Sequence, residues 1–351
     1  MTDLTDATVL NGHRTLAVRL DSDGDVLLTG PAIRALARTG PVDLLVSPAG
    51  QAAGRLLPGV GEVLVFDAPW SGYRPPAVDP AAVHALVDTL RDNGYHSAVI
   101  FTSFHQSPLP MALLARLAGI PFVAAASEEY PGSLLDVRHR RRVGHEVEAA
   151  LDLAHAAGAG GTADRDDDTR LALRRPLPDV TGLLPPGRFV VVHPSASVPA
   201  RSLEAGHAAD LVSALAASGR QVVVTGGPQD RATTAAVAGS EALDLGGRTT
   251  LAELAAVLDA AGCLVAGNTG PAHLAAAVGT PVVSLFSPVV PADRWAPYGV
   301  PVRLLGDQLA PCRGTRAREC PVPGHPCLTT VTPDDVVAAV DSLCPVEVAA
   351  P

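Results

Sequence analysis

Lysine is missing from this sequence altogether: all 26 basic residues are arginine. Any basic side chain that meets a phosphate here is therefore a guanidinium, planar and suited to gripping two oxygens at once. Positive charge is also scarce overall. With 36 acidic residues the formal net charge is −10, which argues against nucleic acid or an anionic membrane as the main partner. Aromatic residues make up only 3%, so the cores of a chain that is 47% hydrophobic must consist mostly of Ala, Val and Leu. The five cysteines are an odd count, mostly late in the chain, and fit a reducing cytoplasm better than a disulfide framework. Residues 1–14 are polar and lack the apolar centre of a signal peptide. The longest stretch free of charged residues, around Cys263–Pro288, is broken by Asn268, His273 and several Gly and Pro, so no transmembrane helix is expected. Neither first-strand turn carries GxGxxG, which disfavours a dinucleotide oxidoreductase.

What is present is a repeated alternation. TLAVRL (residues 15–20) reads as a first strand, followed by the loop DSDGD (Asp21–Asp25) and an apolar helix through Arg38. Strand-like runs recur at 42–46, 62–66, 98–102 and 122–126, with helical patterns at 80–93 and 108–117. From Ser127 to Arg142 the pattern breaks, ending in the basic run RHRRR, and a helix is expected near 145–157. A Pro-rich segment at 176–186 reads as a linker. The second half restarts with the strand RFVVVHP (188–194), a helix at 203–217, the strand QVVVTGG (221–227), and helices at 229–237 and 251–261. A last helix is expected at 333–343. This predicts an α/β chain of two Rossmann-like domains, residues 1–175 and 176–351, each with a parallel sheet.

The stretch CLVAGNTGPAHLAAAVGTPVVSLFSP (Cys263–Pro288) reads as strand, tight turn, short helix and strand, with Pro271 at the first helical position and Gly279 as the stop. Such a unit aims backbone N–H groups and the positive end of a helix dipole at one point, a site for phosphate. NTGPAHLAAAVGTPVVSLFSP resembles the signature of glycosyltransferase family 9, the heptosyltransferases that use ADP-heptose. The resemblance implies GT-B architecture, two Rossmann-like domains facing a central cleft, whose last helix often packs back on the first domain. It further implies a soluble, cytoplasmic enzyme that moves a sugar, heptose from ADP-heptose, to a hydroxyl of a glycan or small molecule. Transfer would be inverting, with no metal and no cofactor besides the ADP-sugar donor; peripheral membrane contact stays open.

In family 9 an Asp at the position of Asp25, followed by a helical proline (here Pro31), is the proposed general base; from spacing alone Asp25 could equally cap the helix. HPSASVPAR (His193–Arg201) resembles the family loop of small hydroxyl residues and a basic residue, which makes Ser195, Ser197 and Arg201 donor-binding candidates. Leu203 and Glu204 stand where the family has Trp-Pro. TGGPQDR resembles the Gly-rich turn bordering the nucleotide, so Thr225, Gly226, Gly227 and Gln229 join the set. Thr250, in GGRTTL, falls in the region that frames the base. Asn268 replaces the Asp of many relatives, while Thr269, Gly270, Pro271 and His273 would face the diphosphate. The bland readings are an exposed arginine, an ordinary Gly-Gly-Pro turn and a packed histidine.

Three further features remain. Asp21, Asp23 and Asp25 hint at a calcium loop, but the glycine comes too early. DRDDD (Asp164–Asp168) mimics a metal-binding Asp-x-Asp without a preceding strand. Cys312, Cys320 and Cys327 flank His325 without the CxxC pair of a zinc site. No metal is expected at any of them. Arg138–Arg142 either meets an anionic acceptor or is solvated. Two other readings compete: a nucleotide-sugar epimerase of the same fold, and a sugar-nucleotide-binding protein without catalysis.

Overall fold

The computed structural model describes residues 10–72, 74–160 and 169–345. The chain divides into two compact units, Met1–Arg174 and Arg175–Pro351.

The first unit runs β1 (Thr15–Arg19), α1 (Asp23–Ala37), β2 (Val42–Val46), α2 (Gln51–Leu56), β3 (Val60–Val65), α3 (Pro80–Asp92), β4 (Ser97–Phe101), α4 (Leu109–Leu117), β5 (Phe122–Ala126), β6 (Val137–His139) and α5 (Glu146–Ala156). Its strands form one parallel sheet in the order β3-β2-β1-β4-β5-β6. Strands β1, β2 and β4 are buried along their whole length, as continuous apolar runs between two helical layers must be. One layer, α3 and α4, closes a core of Val18, Ile100, Leu90 and Met111. On the other, α1 packs against α5.

The second unit runs β7 (Phe189–His193), α6 (Ala205–Ala217), β8 (Gln221–Val224), α7 (Arg231–Ala238), β9 (Leu243–Asp244), α8 (Leu251–Ala260), β10 (Cys263–Gly267), α9 (Gly270–Val278), β11 (Val282–Leu285), α10 (Ala292–Trp295), β12 (Val302–Leu305), α11 (Pro326–Thr329) and α12 (Pro333–Leu343). These strands form a second parallel sheet, β12-β11-β10-β7-β8-β9. Helix α12 packs on α6 and on β10, β11 and β12 of its own unit.

The α/β alternation expected from sequence is what the chain forms. The differences lie where pattern gives no signal. β6 sits inside the segment read as irregular; three half-buried residues pair with β5 and show no apolar run. β9 is two residues long, inside ALDLGG. Helix α9 begins at Gly270, one residue before Pro271.

In each sheet, strand order reverses once beside the first strand: between β1 and β4 in one unit, between β7 and β10 in the other. Loops leaving the carboxyl ends of such neighbours diverge to opposite faces and open a crevice where α/β sheets take ligands.

Candidate active site

In the first unit the loops after β1 and β4 are joined by a buried arginine. Arg19 ends β1 with only 2% of its surface exposed, and a guanidinium so placed must find carboxylates. It finds three: Nε lies 2.9 Å from Asp21 Oδ2, and Nη2 lies 3.1 Å from Asp25 Oδ1 and 3.8 Å from Glu146 Oε2. Nη2 also donates to Ser103 Oγ at 3.0 Å. Gln106 donates from Nε2 to Asp21 Oδ1 at 2.6 Å, and its Oε1 accepts the Ser103 N–H at 2.9 Å. Arg141, from the basic run, pairs with the buried Glu146 at 2.5 Å.

The cluster holds two guanidinium groups against three carboxylates, an excess of one negative charge. Burial pushes the Asp21 carboxyl up to about 6; Arg19 opposes the rise and the charge of Asp25 adds to it. Burial pulls the Arg19 guanidinium down, but Asp21, Asp25 and Glu146 more than offset this, leaving it above the usual arginine value. Asp23 is raised by burial and partly held back by the Ala53 N–H, which it accepts at 2.8 Å.

Asp25 differs from its neighbours. Its side chain is 22% exposed, against 10% for Asp21 and 3% for Glu146, so it is the one of the three that a solute reaches most readily. Ser22, not Asp25, is the N-cap of α1, and Asp25 lies in the first turn of that helix. Both carboxylate oxygens are oriented instead, Oδ1 by Arg19 and Oδ2 by the Ser22 hydroxyl at 3.1 Å. A partly exposed carboxylate held at two points suits proton abstraction.

In the second unit the tip after β10 and the loop after β7 meet because Gly267 has no side chain: a Cβ there would lie 2.4 Å from the Arg201 carbonyl oxygen. Arg201, on a 3-10 turn (Pro199–Arg201), is thereby brought beside the tip that carries Asn268, Thr269, Gly270 and Pro271, while on the same loop Ser195 is half-buried and Ser197 exposed. Leu203, in place of the family tryptophan, is buried in the core under this loop. Next to it, the Gly247 N–H donates to the Gly226 carbonyl at 2.9 Å and ties the Gly226–Gly227 turn to the turn before Thr250. Gly227 donates to Asp230 Oδ2 at 2.8 Å, and exposed Gln229 also donates to that oxygen, at 3.3 Å.

Thr225, Thr250 and Asn268 also have their side chains engaged within the unit. The Thr225 hydroxyl bonds His193 Nδ1 at 2.9 Å. Thr250 forms a capping box with Glu253 at the start of α8. Asn268 donates to the Ser287 carbonyl at 3.2 Å and accepts the Ser287 N–H at 3.1 Å. His273 is buried on α9. His193, fully enclosed, has its pKa lowered to about 4 by burial, with Asp230 opposing, and is neutral at pH 7. Sequence reading passed over Arg19, Gln106, Glu146, His193 and Gly267; the signal available was a charged residue inside an apolar strand run, Arg19.

Arg138 donates to the Ser127 and Glu128 carbonyls, exposed Arg140 pairs with exposed Glu128 at 3.2 Å, and Arg141 pairs with buried Glu146. Cys312 and Cys327 are buried, Cys320 half-buried, and among the described residues no three His, Cys, Asp or Glu side chains are grouped to hold a metal ion. The run Asp164–Asp168 lies outside the described residues. Among the described residues no helix is long and apolar enough to cross a membrane.

Residues 83–324 match the family model described as glycosyltransferase family 9 (heptosyltransferase). No curated protein sequence matches the chain. Among solved structures, a glycosyl transferase family 9 protein from Veillonella parvula superposes with a TM-score of 0.75 at 18% identity, covering 95% of this chain and 98% of that one. The ADP-heptose LPS heptosyltransferase II of E. coli gives 0.72 at 20% identity, covering 94% and 98%. The E. coli heptosyltransferase WaaC with ADP gives 0.68 at 19% identity, covering 94% and 99%. At these identities the structures speak for the shared fold.

Proposed function

The chain belongs to glycosyltransferase family 9, and from that premise we propose that it moves a sugar from an ADP-sugar, ADP-heptose in the first instance, to an acceptor hydroxyl with inversion and without a metal. Asp25 takes the proton of the acceptor hydroxyl as its oxygen attacks the anomeric carbon, and the bond from that carbon to the diphosphate breaks from the opposite face. The departing diphosphate gains negative charge. The backbone N–H groups at the start of α9, the helix dipole and Arg201 stabilise it, with Ser195 and Ser197 as hydroxyl contacts. Thr225, Gly226, Gly227, Gln229 and Thr250 border the nucleoside; Asn268 holds the phosphate tip in shape.

The observation that carries the reading is the placement of Asp25, partly exposed at the strand-order reversal and oriented by Arg19 and Ser22. The ADP seen with WaaC supports the choice of nucleotide. A nucleotide-sugar donor and five free cysteines both suit a cytoplasmic protein. The test is a thermal-shift panel of ADP, UDP and GDP in the presence of a metal chelator. ADP should give the largest rise in Tm; a preference for UDP, or a shift that needs magnesium, overturns the donor assignment.

A further inference from the structure

Glu146 is a carboxylate almost without access to water, and it meets two guanidinium groups. Its side chain, at the start of α5, gives Oε1 to Arg141 Nη1 at 2.5 Å, and Arg141 donates in turn to the Thr102 carbonyl. Oε2 faces Arg19 Nη2 at 3.8 Å, and that same nitrogen stands 3.1 Å from Asp25 Oδ1. At 3.8 Å there is no hydrogen bond, so Glu146 acts on Arg19 through charge alone. Burial leaves that charge weakly screened.

The contacts that hold Arg19 in place come from elsewhere: Nη2 donates to Asp25 and to Ser103, and Nε lies beside Asp21. What Glu146 adds is a negative charge. A guanidinium that orients a carboxylate also stabilises its ionised form, which makes it a weaker base, and a second carboxylate at the same nitrogen opposes this. Arg19 feels that charge: burial pulls the guanidinium down, and Glu146 is one of three carboxylates that outweigh the burial. Other titratable groups surround the pair. Asp21, pushed up to about 6 by burial, adds negative charge above that pH. Asp23, on the same helix as Asp25, accepts the Ala53 N–H of α2. On α5, buried His145 accepts the Val147 N–H and Glu148 is exposed, as is Arg142 on the segment before it. The loop after β4 brings the neutral Ser103 and Gln106, and exposed His105 lies edge-on to the Phe104 ring.

We infer that Glu146 is a positioning residue that sets the basicity of Asp25: its charge offsets that of Arg19, so the guanidinium orients Asp25 without weakening it as a base. Arg141 limits the effect by drawing part of the Glu146 charge to itself. This rests on the glycosyl-transfer reading and names the group that tunes its base, a task that calls for a proton affinity matched to the working pH.

The test follows the Asp25 carboxyl itself, by carbon NMR of the full chain isotopically labelled at its aspartate carboxyl carbons. The Asp25 resonance is the one lost in Asp25→Asn, and its titration midpoint needs no acceptor. Glu146→Gln should lower the midpoint by about 0.5–1 pH unit. Arg141→Gln, which leaves the Glu146 charge wholly to Arg19, should raise it, and the double variant should return towards the parent. Loosened packing would not move the two single variants in opposite senses. If Glu146→Gln does not fold, Arg141→Gln decides alone. Midpoints that stay put, or that move in the same sense, overturn the inference. ADP release from ADP-heptose, with water as the acceptor, is measured on the same proteins, and the acid limb of its pH profile should follow the midpoint. Release lost in Asp25→Asn with midpoints unmoved sinks the inference alone. Midpoints that move as stated, while Asp25→Asn releases ADP at the parent rate, sink the glycosyl-transfer role of Asp25 alone.

Discussion

Asn268 and Ser287 exchange two hydrogen bonds, side-chain amide to backbone carbonyl at 3.2 Å and backbone N–H to side-chain carbonyl at 3.1 Å. This pairing joins the carboxyl ends of β10 and β11, and it needs both a donor and an acceptor on one side chain. A carboxylate there keeps the N–H contact and turns its second oxygen on the Ser287 carbonyl. Asn268→Asp should therefore lower stability by about 1–3 kcal/mol at neutral pH. Part of the loss should return as the solution is acidified and the carboxyl gains a proton. Urea unfolding at two pH values reads this directly.

Gly267 is the second lever on the same tip. Its missing Cβ leaves room for the Arg201 carbonyl, which would otherwise stand 2.4 Å away. Gly267→Ala should destabilise by about 1–3 kcal/mol and displace the Arg201 loop. ADP affinity, measured by calorimetry, should fall with it. Unchanged ADP binding in a folded variant would separate Arg201 from the donor site.

Asp25 is the third. Asp25→Asn preserves size and a hydrogen-bonding oxygen for Arg19 but cannot accept a proton at neutral pH. Turnover of the ADP-sugar should drop about 10²–10⁴-fold. ADP affinity should stay within error, since the nucleotide contacts proposed above lie in the other unit. Loss of both together would mean that the residue is structural.

The two units should answer pH in opposite senses. The folded pKa of His193, about 4, lies below that of a free histidine, so its neutral form is favoured by folding. Its contribution is present at pH 7 and is lost as pH falls from about 6.5 towards 4, on the order of 3 kcal/mol. The folded pKa of Asp21, about 6, lies above the ordinary carboxylate value, so its contribution is present at low pH and is lost as pH rises through about 6. Chemical denaturation of His193→Gln should lack the acid-side loss, and Asp21→Asn should lack the decline between about pH 4 and 6.

The parallel sheets could be read in advance because continuous apolar runs separated by helical patterns leave few other solutions. The strand–turn–helix tip after β10 was legible for a similar reason, as Asn268 to Pro271 is contiguous. Partners far along the chain were not legible. Ser287 is 19 residues from Asn268, Thr225 is 32 from His193, and Ser103 is 84 from Arg19. Thr225, Thr250 and Asn268 each have a hydroxyl or amide that serves a turn, a cap or a strand end as well as it would a ligand. Asp25 shows the converse: spacing allowed a cap, and only the fold reveals Ser22 in that place.

The last helix, α12, opens on a capping box between Thr332 and Asp335 and sends Val336 and Val340 into a core drawn wholly from residues beyond Arg174. The second half thus carries its own lid, roof and foundation. Excised as a separate polypeptide, it should unfold in a single cooperative step. It would then serve as a stand-alone receptor on which nucleotide preference is measured before any acceptor is known.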